Sequence, residues 1–417
     1  MLNGFGRRVL SKSMYKSSSV RLLVITRENE ADKNYGLGRT LLPFIHGLQA
    51  RGHEVVYFSQ TECTAAHQRW LGRFVAFLRP FFGLIAPALA ERLIQGIAGG
   101  RHAVRIKATH AWLHDPWMAL GFKWGRWSLF SFKQFNLKKR AEFKQRPKLF
   151  ISEHGLGSFT WAVSRDGLTF SPRLFRWFLA FERRTLNKAD KVFTPSQTAL
   201  DALLRDLAYV QPPKHFVVLP YGRPSQIKTI PSPDFSIFGL TEPPQVPVIL
   251  AVGRISPAKN YRLLVDAMHL LDQQTKAGAQ LLIAGGGDVQ PLLDYAASKP
   301  LKHPLRIAFI GDMPTAYVLA DIYISSCAIE SFGQANREAM AFGLPCVVPS
   351  AGASGEVLGN GVWLVPPKAD SMANAMCRLI NNPSQALFWK QQALLEYKKL
   401  PIWVEILEFF EQQLLDD

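Results

Sequence analysis

No apolar run in the 417 residues reads as a membrane span. The nearest candidate, Pro80-Phe-Phe-Gly-Leu-Ile-Ala-Pro-Ala-Leu-Ala90, falls short of the ~20 residues a spanning helix needs and is interrupted by proline. Met1 to Val20 is basic and serine-rich but has no apolar centre, so it does not read as a secretory signal. A disordered tail over 1–19 is expected, with Met14 as an alternative start just ahead of the first strand. Cysteine is scarce and scattered: Cys63, Cys327, Cys346 and Cys377 form no Cys-x-x-Cys pair and no cluster with histidine. This excludes a disulfide scaffold and a zinc ribbon, and it suits reduced, buried thiols in a cytoplasmic protein. Acid is short against base. The 32 Asp and Glu face 49 Lys and Arg, for a formal net charge of +17, which implies an anionic partner: nucleic acid, acidic lipid or a phosphorylated substrate.

What is present is globular. Hydrophobic residues make up 48% and charged residues 19%, and the length suits two domains of roughly 200 residues. Val20–Thr26 reads as a buried strand, followed by a glycine loop, Asn34-Tyr-Gly-Leu-Gly-Arg39, a helix over Leu41–Ala50, and a second strand over His53–Phe58. Strand, loop, helix and strand in this order open a doubly wound parallel sheet. Further strands are expected at 148–152, 191–194 and 215–219, and then in a second series at 248–252, 280–284, 306–310, 322–325 and 346–348. The division that follows is a first α/β domain over 20–225, a proline-rich linker over 226–247, a second α/β domain over 248–385, and C-terminal helices over 386–417 that cross back to the first. Residues 60–147, rich in Trp, Phe, Arg and Lys, read as an insertion or an elaborated acceptor face.

Two segments carry chemistry. In Glu330-Ser-Phe-Gly-Gln-Ala-Asn-Arg-Glu338 the first glutamate follows a strand and the second lies about one turn into the next helix. Between them, Ser331 to Gln334 would form a helix N-terminus, whose free N–H groups and positive dipole end favour anions and hydroxyl oxygens. On spacing alone, two solvent glutamates capping a helix fit equally. In Ala251-Val-Gly-Arg254-Ile-Ser-Pro-Ala-Lys259 a strand leaves through Gly253 and sets Arg254 and Lys259 before a helix. A guanidinium fork and an ammonium suit a diphosphate, although a pair of surface cations would look the same.

Taken together and in order, these segments resemble the family-4 retaining glycosyltransferases of the GT-B fold. Glu330 and Glu338 match that family's E-x7-E signature, Gly253, Arg254 and Lys259 its G-R-x4-K element, and Ala339-Met-Ala-Phe-Gly-Leu-Pro345 its trailing stretch. Leu282–Asp288, Ala189–Ser196 and Leu219-Pro-Tyr-Gly222 add weaker matches, with Tyr221 standing where the family has asparagine. The resemblance implies an α/β architecture of two Rossmann-like domains facing across a cleft. It implies a hexosyltransferase-type enzyme in which Arg254 and Lys259 hold the donor diphosphate, Glu338 the ribose, and Glu330 the donor sugar. N–H groups near Phe332 and Gly333 would touch sugar or phosphate. Gly36 and Gly38 would present N–H groups from the opposite domain, and His154, after a strand, would bond the donor sugar or the reaction centre. His114 and Asp115 are weaker acceptor-side candidates. No Asp-x-Asp triplet occurs, so cations and helix N-termini would stand in for a metal, and no metal or cofactor is expected beyond a UDP or GDP sugar.

The stretch 121–148 sets nine Lys or Arg against the single acid Glu142, interleaved with Trp124, Trp127 and five phenylalanines. Such a mixture suits an anionic bilayer interface. It also suits stacked nucleic acid bases, or a core helix pair with a solvated basic face. The resemblance favours the first: a peripheral protein on the inner face of the cytoplasmic membrane, making lipopolysaccharide or exopolysaccharide on a glycan or lipid-linked acceptor, with no nucleic acid partner. A sugar-nucleotide epimerase on the same fold and a basic nucleic-acid-binding protein are the rival readings.

Overall fold

The computed structural model describes residues 19–27, 36–63, 65–128, 146–224 and 230–416. The first sheet comprises β1 (Arg21–Ile25), β2 (Glu54–Phe58), β3 (His110–Leu113), β4 (Lys148–Ser152), β5 (Lys191–Thr194) and β6 (Phe216–Val218), in the order β2-β1-β3-β4-β5-β6. The second comprises β7 (Val248–Val252), β8 (Gln280–Ala284), β9 (Arg306–Ala308), β10 (Ile322–Ile324), β11 (Cys346–Pro349) and β12 (Trp363–Val365), in the order β12-β11-β10-β7-β8-β9. All neighbours pair in parallel. That is why these strands are short unbroken apolar runs: helices cover both faces, so neither face needs polar residues. The winding direction reverses between β1 and β3, and again between β7 and β10. At such switch points the connecting loops part and leave a crevice beyond the strand C-termini.

Two strands were not anticipated. β3 lies inside the expected insertion 60–147 yet sits between β1 and β4, so part of that region is central framework. His110-Ala-Trp-Leu is fully buried but has no β-branched residue and no alternation to reveal it. β12 spans only three residues. The helices Ala86–Arg105 and Met118–Ser128 pack through glycines: a Cβ on Gly96 or Gly100 would overlap the carbonyl oxygens of Met118 and Phe122, and one on Gly121 or Gly125 those of Leu93 and Ile97. The Arg69–Arg105 stretch is, by length and composition, apolar enough to cross a membrane, contrary to the expectation above. It is broken by the 3-10 turn Gly83–Ile85, and Leu78, Ile85, Leu89 and Leu93 pack into a cluster with Trp117 and Phe178.

The expected linker is shorter than 226–247, because Phe235, Ile237, Phe238 and Leu240 pack on the second domain's core. The helix Trp403–Leu415 lies on the first domain. Its Ile406, Leu407, Phe410 and Leu414 join Leu22, Val24 and Phe44 in one cluster, and Glu411 bonds His53 at 2.8 Å.

Candidate functional site

Strand β7 is followed by Gly253, whose φ of +145° few other residues adopt. The chain then turns through Arg254 into the short 3-10 turn Pro257–Lys259. Lys259 Nζ donates to Glu330 Oε2 at 2.8 Å. Glu330 follows β10, so both sides of the second switch point contribute to this pair. Burial pushes the Glu330 carboxyl up, but the Lys259 charge and the Gly333 N–H outweigh it and hold the group below the usual carboxylate range. Burial likewise pulls Lys259 down, and Glu330 more than reverses this. Gly333 caps the helix Gln334–Ala341 at φ +73°, a left-handed position that keeps the approach to that N-terminus tight.

Glu338 sits one turn into this helix and is 5% exposed. Its Oε1 lies 2.9 Å from Arg39 Nη2, and its Oε2 accepts from the Tyr317 hydroxyl at 3.0 Å. Burial raises its pKa, and Arg39, Tyr317 and Gln334 offset this only in part. Arg39 belongs to the first domain, on the helix Gly36–Ala50. Beside the pair lies a cavity of about 360 Å³, lined also by Pro43, Pro224, Phe342 and Trp403.

In the first domain, His154 follows β4. Its Nε2 lies 2.8 Å from His114 Nδ1, and its Nδ1 lies 2.7 Å from the Tyr221 hydroxyl. Burial lowers the His154 pKa to about 4, and burial with the neighbouring His154 ring pushes His114 well below its usual value. Both rings are therefore neutral near pH 7, with one N–H each. His114 Nε2 has no partner among the described residues. A buried acceptor without a partner is tolerated better than a buried donor, which places the proton of His114 on Nδ1. His114 then donates to His154, and His154 donates from Nδ1 to Tyr221. Close by, burial and then the neighbouring Glu182 charge push the Glu153 carboxyl well above its usual value. Glu182 accepts from the N–H groups of Phe159 and Thr160 at 2.8 Å, and burial pushes it up to about 7.

The domains meet closely. Ser331 Oγ donates to the His154 carbonyl at 2.6 Å, and Ser196 Oγ to the Ser331 carbonyl at 2.7 Å. Glu356 accepts from the N–H groups of Gln197 and Thr198, both at 2.7 Å, capping a first-domain helix from the second domain. Phe332 packs its ring edge-on to Tyr221, 4.9 Å between centroids, inside the first domain's cluster. Arg254, exposed, reaches Asp166 at 3.4 Å.

The structure thus brings Arg254, Lys259, Glu330, Gly333 and Glu338 to one side of the cleft, and His114 and His154 to the other. Several expectations change. Gly36 and Gly38 lie in the first turn of a helix and not in a loop, since the turn continues into Arg39 without a break. Both ring nitrogens of His154 are bonded within the protein, so the ring meets a sugar only by exchanging one of those bonds. The Phe332 side chain serves the domain contact. Asp115 is bound by Arg92 at 2.6 Å and Arg27 at 3.4 Å, which makes it a buried structural charge. Of the basic stretch 121–148, Trp124 and Trp127 are exposed, while Lys133, Lys138, Lys139, Arg140 and Lys144 lie outside the described residues, as do residues 1–18 of the tail expected over 1–19. Arg39, Asp166 and Tyr317 were not foreseen. Arg39 stands directly after the quoted Gly-Leu-Gly, and its charge was the available signal.

Comparison with known proteins agrees with this geometry. Residues 35–224 match the family described as Glycosyltransferase Family 4, and residues 234–395 match Glycosyl transferases group 1. An uncharacterized glycosyltransferase of Methanocaldococcus jannaschii is 32% identical over 144 residues, 32% of this chain and 36% of its own. Mannosylfructose-phosphate synthase of Agrobacterium fabrum is 29% identical over 177 residues, 38% of this chain and 37% of its own. The chain therefore matches little more than a third of the length of these relatives. Among solved structures, sucrose-phosphate synthase from Thermosynechococcus elongatus superposes with a TM-score of 0.65 at 18% identity, covering 94% of this chain and 98% of that one. WaaG, a glycosyltransferase involved in lipopolysaccharide biosynthesis, gives 0.66 at 14%, covering 94% and 99%. Anabaena HepE in complex with UDP-glucose gives 0.60 at 16%, covering 94% and 99%.

Proposed function

The chain belongs to the family-4 glycosyltransferases of the GT-B fold, and from that premise we propose that it transfers a hexosyl unit, with retention, from a UDP or GDP sugar to a hydroxyl of a cell-envelope glycan or lipid-linked acceptor. The observation that carries the proposal is the Lys259–Glu330 pair beside the Gln334–Ala341 helix N-terminus, with Glu338 one turn further on. One ammonium, one guanidinium and two carboxylates at a single switch point suit a ligand that is anionic at its diphosphate and rich in hydroxyls at both ends. HepE, whose structure holds UDP-glucose, and WaaG, named for lipopolysaccharide biosynthesis, support the donor class and the acceptor class.

In this reading Arg254 exchanges Asp166 for the diphosphate, and Lys259 neutralises charge as the sugar–phosphate bond breaks. Glu330 accepts from sugar hydroxyls and Glu338 from the ribose. Neither carboxylate serves as a nucleophile. The acceptor oxygen attacks the anomeric carbon on the face the diphosphate leaves, and a diphosphate oxygen takes the acceptor's proton. No metal is required. The protein works at the inner face of the cytoplasmic membrane, and nucleic acid is not a partner.

Thermal melting against a panel of UDP-, GDP- and ADP-sugars tests the donor. A ligand at ~100 times its Kd adds about 2.7 kcal/mol of stability, and one nucleotide should do so in wild type but not in Glu338→Ala. No shift with any sugar nucleotide would defeat the proposal. Acceptor-independent hydrolysis with inversion at sugar C2 would point to the epimerase instead.

A further inference from the structure

The first domain carries an apolar surface that catalysis does not use. The helix Ala65–Phe82 has two apolar stripes. One, through Leu71, Val75, Leu78 and Phe82, packs into the domain. The other consists of Trp70, Phe77 and Phe81 and continues to Leu84 in the following turn; these side chains are 52%, 68%, 70% and 70% exposed. Spacings of seven and four residues set Trp70, Phe77 and Phe81 on one face of the helix. Beside it lies the helix Pro172–Leu186, with Trp177 50% exposed and its ring 6.1 Å from Phe82 between centroids.

The charge around this face has one sign. No Asp or Glu occurs from Ala65 to Ala90, whereas Arg69, Arg73 and Arg79 are exposed. Arg73 lies over the Trp70 ring at 5.2 Å. On the neighbouring helix Arg173, Arg176 and Arg184 are exposed, and its single acid, Glu182, is fully buried. A protein partner of ordinary composition would leave these cations facing mixed charge. A plane of anionic headgroups over hydrocarbon matches both the guanidinium rim and the aromatic stripe.

We propose that the exposed face of the helices Ala65–Phe82 and Pro172–Leu186 is the surface that docks on an anionic bilayer, with Trp70, Phe77, Phe81 and Leu84 entering the headgroup boundary and the flanking arginines held at the phosphates. This deepens the membrane reading above and rests on it. The stretch lies in the interface and does not span it, because the stripe through Leu71, Val75, Leu78 and Phe82 is committed to the protein core.

Vesicle co-sedimentation tests the assignment, with phosphatidylglycerol vesicles against phosphatidylcholine vesicles at low and high salt. Wild type should bind the anionic vesicles at low salt, with a blue-shifted tryptophan emission. The triple variant Trp70→Ser, Phe77→Ser, Phe81→Ser should bind at least tenfold more weakly. Arg69→Gln with Arg73→Gln should lose roughly fivefold per cation and keep the blue shift at saturating lipid. Both variants should melt as wild type and release nucleotide from donor at the wild-type rate in detergent-free buffer. If wild type binds and the triple variant binds equally, this surface is not the dock and the membrane reading stands. If wild type ignores anionic vesicles, or prefers single-stranded oligonucleotide to them, both fall.

Discussion

Arg39 of the first domain and Glu338 of the second meet at 2.9 Å across the cleft, so the carboxylate assigned to the ribose also holds the domains together. Burial already raises the Glu338 pKa, and Arg39 is the main counterweight. In Arg39→Ala the carboxyl should protonate at higher pH and cease to accept two hydroxyls. Nucleoside-diphosphate affinity, measured by calorimetry, should then fall as pH is lowered and recover as pH rises, because the ionised form returns above the raised pKa. An equal loss at pH 6 and pH 8.5 would assign Arg39 to the nucleotide itself.

Lys259 and Arg254 should separate by what else they do. Each substitution to alanine should cost nucleoside-diphosphate binding about 1.5–3 kcal/mol, the range for a hydrogen bond to a charged group. Arg254 is 71% exposed in its side chain, so Arg254→Ala should leave the melting temperature almost unchanged. Lys259→Ala should also lower it, since Glu330 would keep its burial and lose its cation. Calorimetry and melting on the same preparations read both effects.

The Tyr221 hydroxyl takes the His154 Nδ1–H at 2.7 Å in the tautomer that the His114 bond sets. Tyr221→Phe leaves a buried imidazole N–H without a partner, at a cost of about 1–3 kcal/mol. Turnover should fall further than donor affinity, because the ring loses its orientation while the diphosphate contacts remain. A melting curve and a comparison of kcat with donor Kd check this; unchanged values of all three would show the tyrosine hydroxyl to be idle.

The Glu153–Glu182 pair predicts a pH dependence of opposite sign to that of an ordinary ion pair. Glu182 has its pKa raised to about 7 when folded. Its stabilising contribution is complete below the unfolded value near 4.5 and is lost as pH rises through 7. Wild type should therefore lose stability between pH 5 and pH 8 on this account. Burial and then the Glu182 charge push Glu153 well above its usual value, so its carboxyl adds to the same loss, and Glu153→Gln, which cannot ionise, should narrow it. Denaturant melts at the two pH values would expose a variant that is less stable at both.

Transfer should survive excess EDTA. The chain has no Asp-x-Asp, and the Arg254 and Lys259 cations are set to take the diphosphate charge in place of a metal. Activity lost to EDTA and restored by magnesium or manganese would overturn it.

The fold is legible in the sequence where burial alone shaped it. β4, β5, β7 and β8 are apolar runs whose bounds match the expected ones, because strands covered on both faces have nothing else to be. Glu330, Glu338 and Lys259 were legible because their motif is local. What was not legible is tertiary. Arg39 meets Glu338, Asp166 meets Arg254, and Tyr221 meets His154 across separations of 299, 88 and 67 residues, which no periodicity encodes. β3 was hidden because a four-residue strand among aromatic helices has no pattern of its own.

The helix Trp403–Leu415 has a consequence for biosynthesis. Phe410 inserts among Phe44, Trp112 and Phe193, with ring centroids 5.2, 4.5 and 5.5 Å away. Those rings leave the ribosome some two hundred residues or more before Phe410 does. At ordinary elongation rates of ~5–20 residues per second, the first sheet waits ten seconds or longer with one wall of its interior open to water. A chaperone that shields aromatic surface on nascent chains would find its target there until Phe410 emerges and packs.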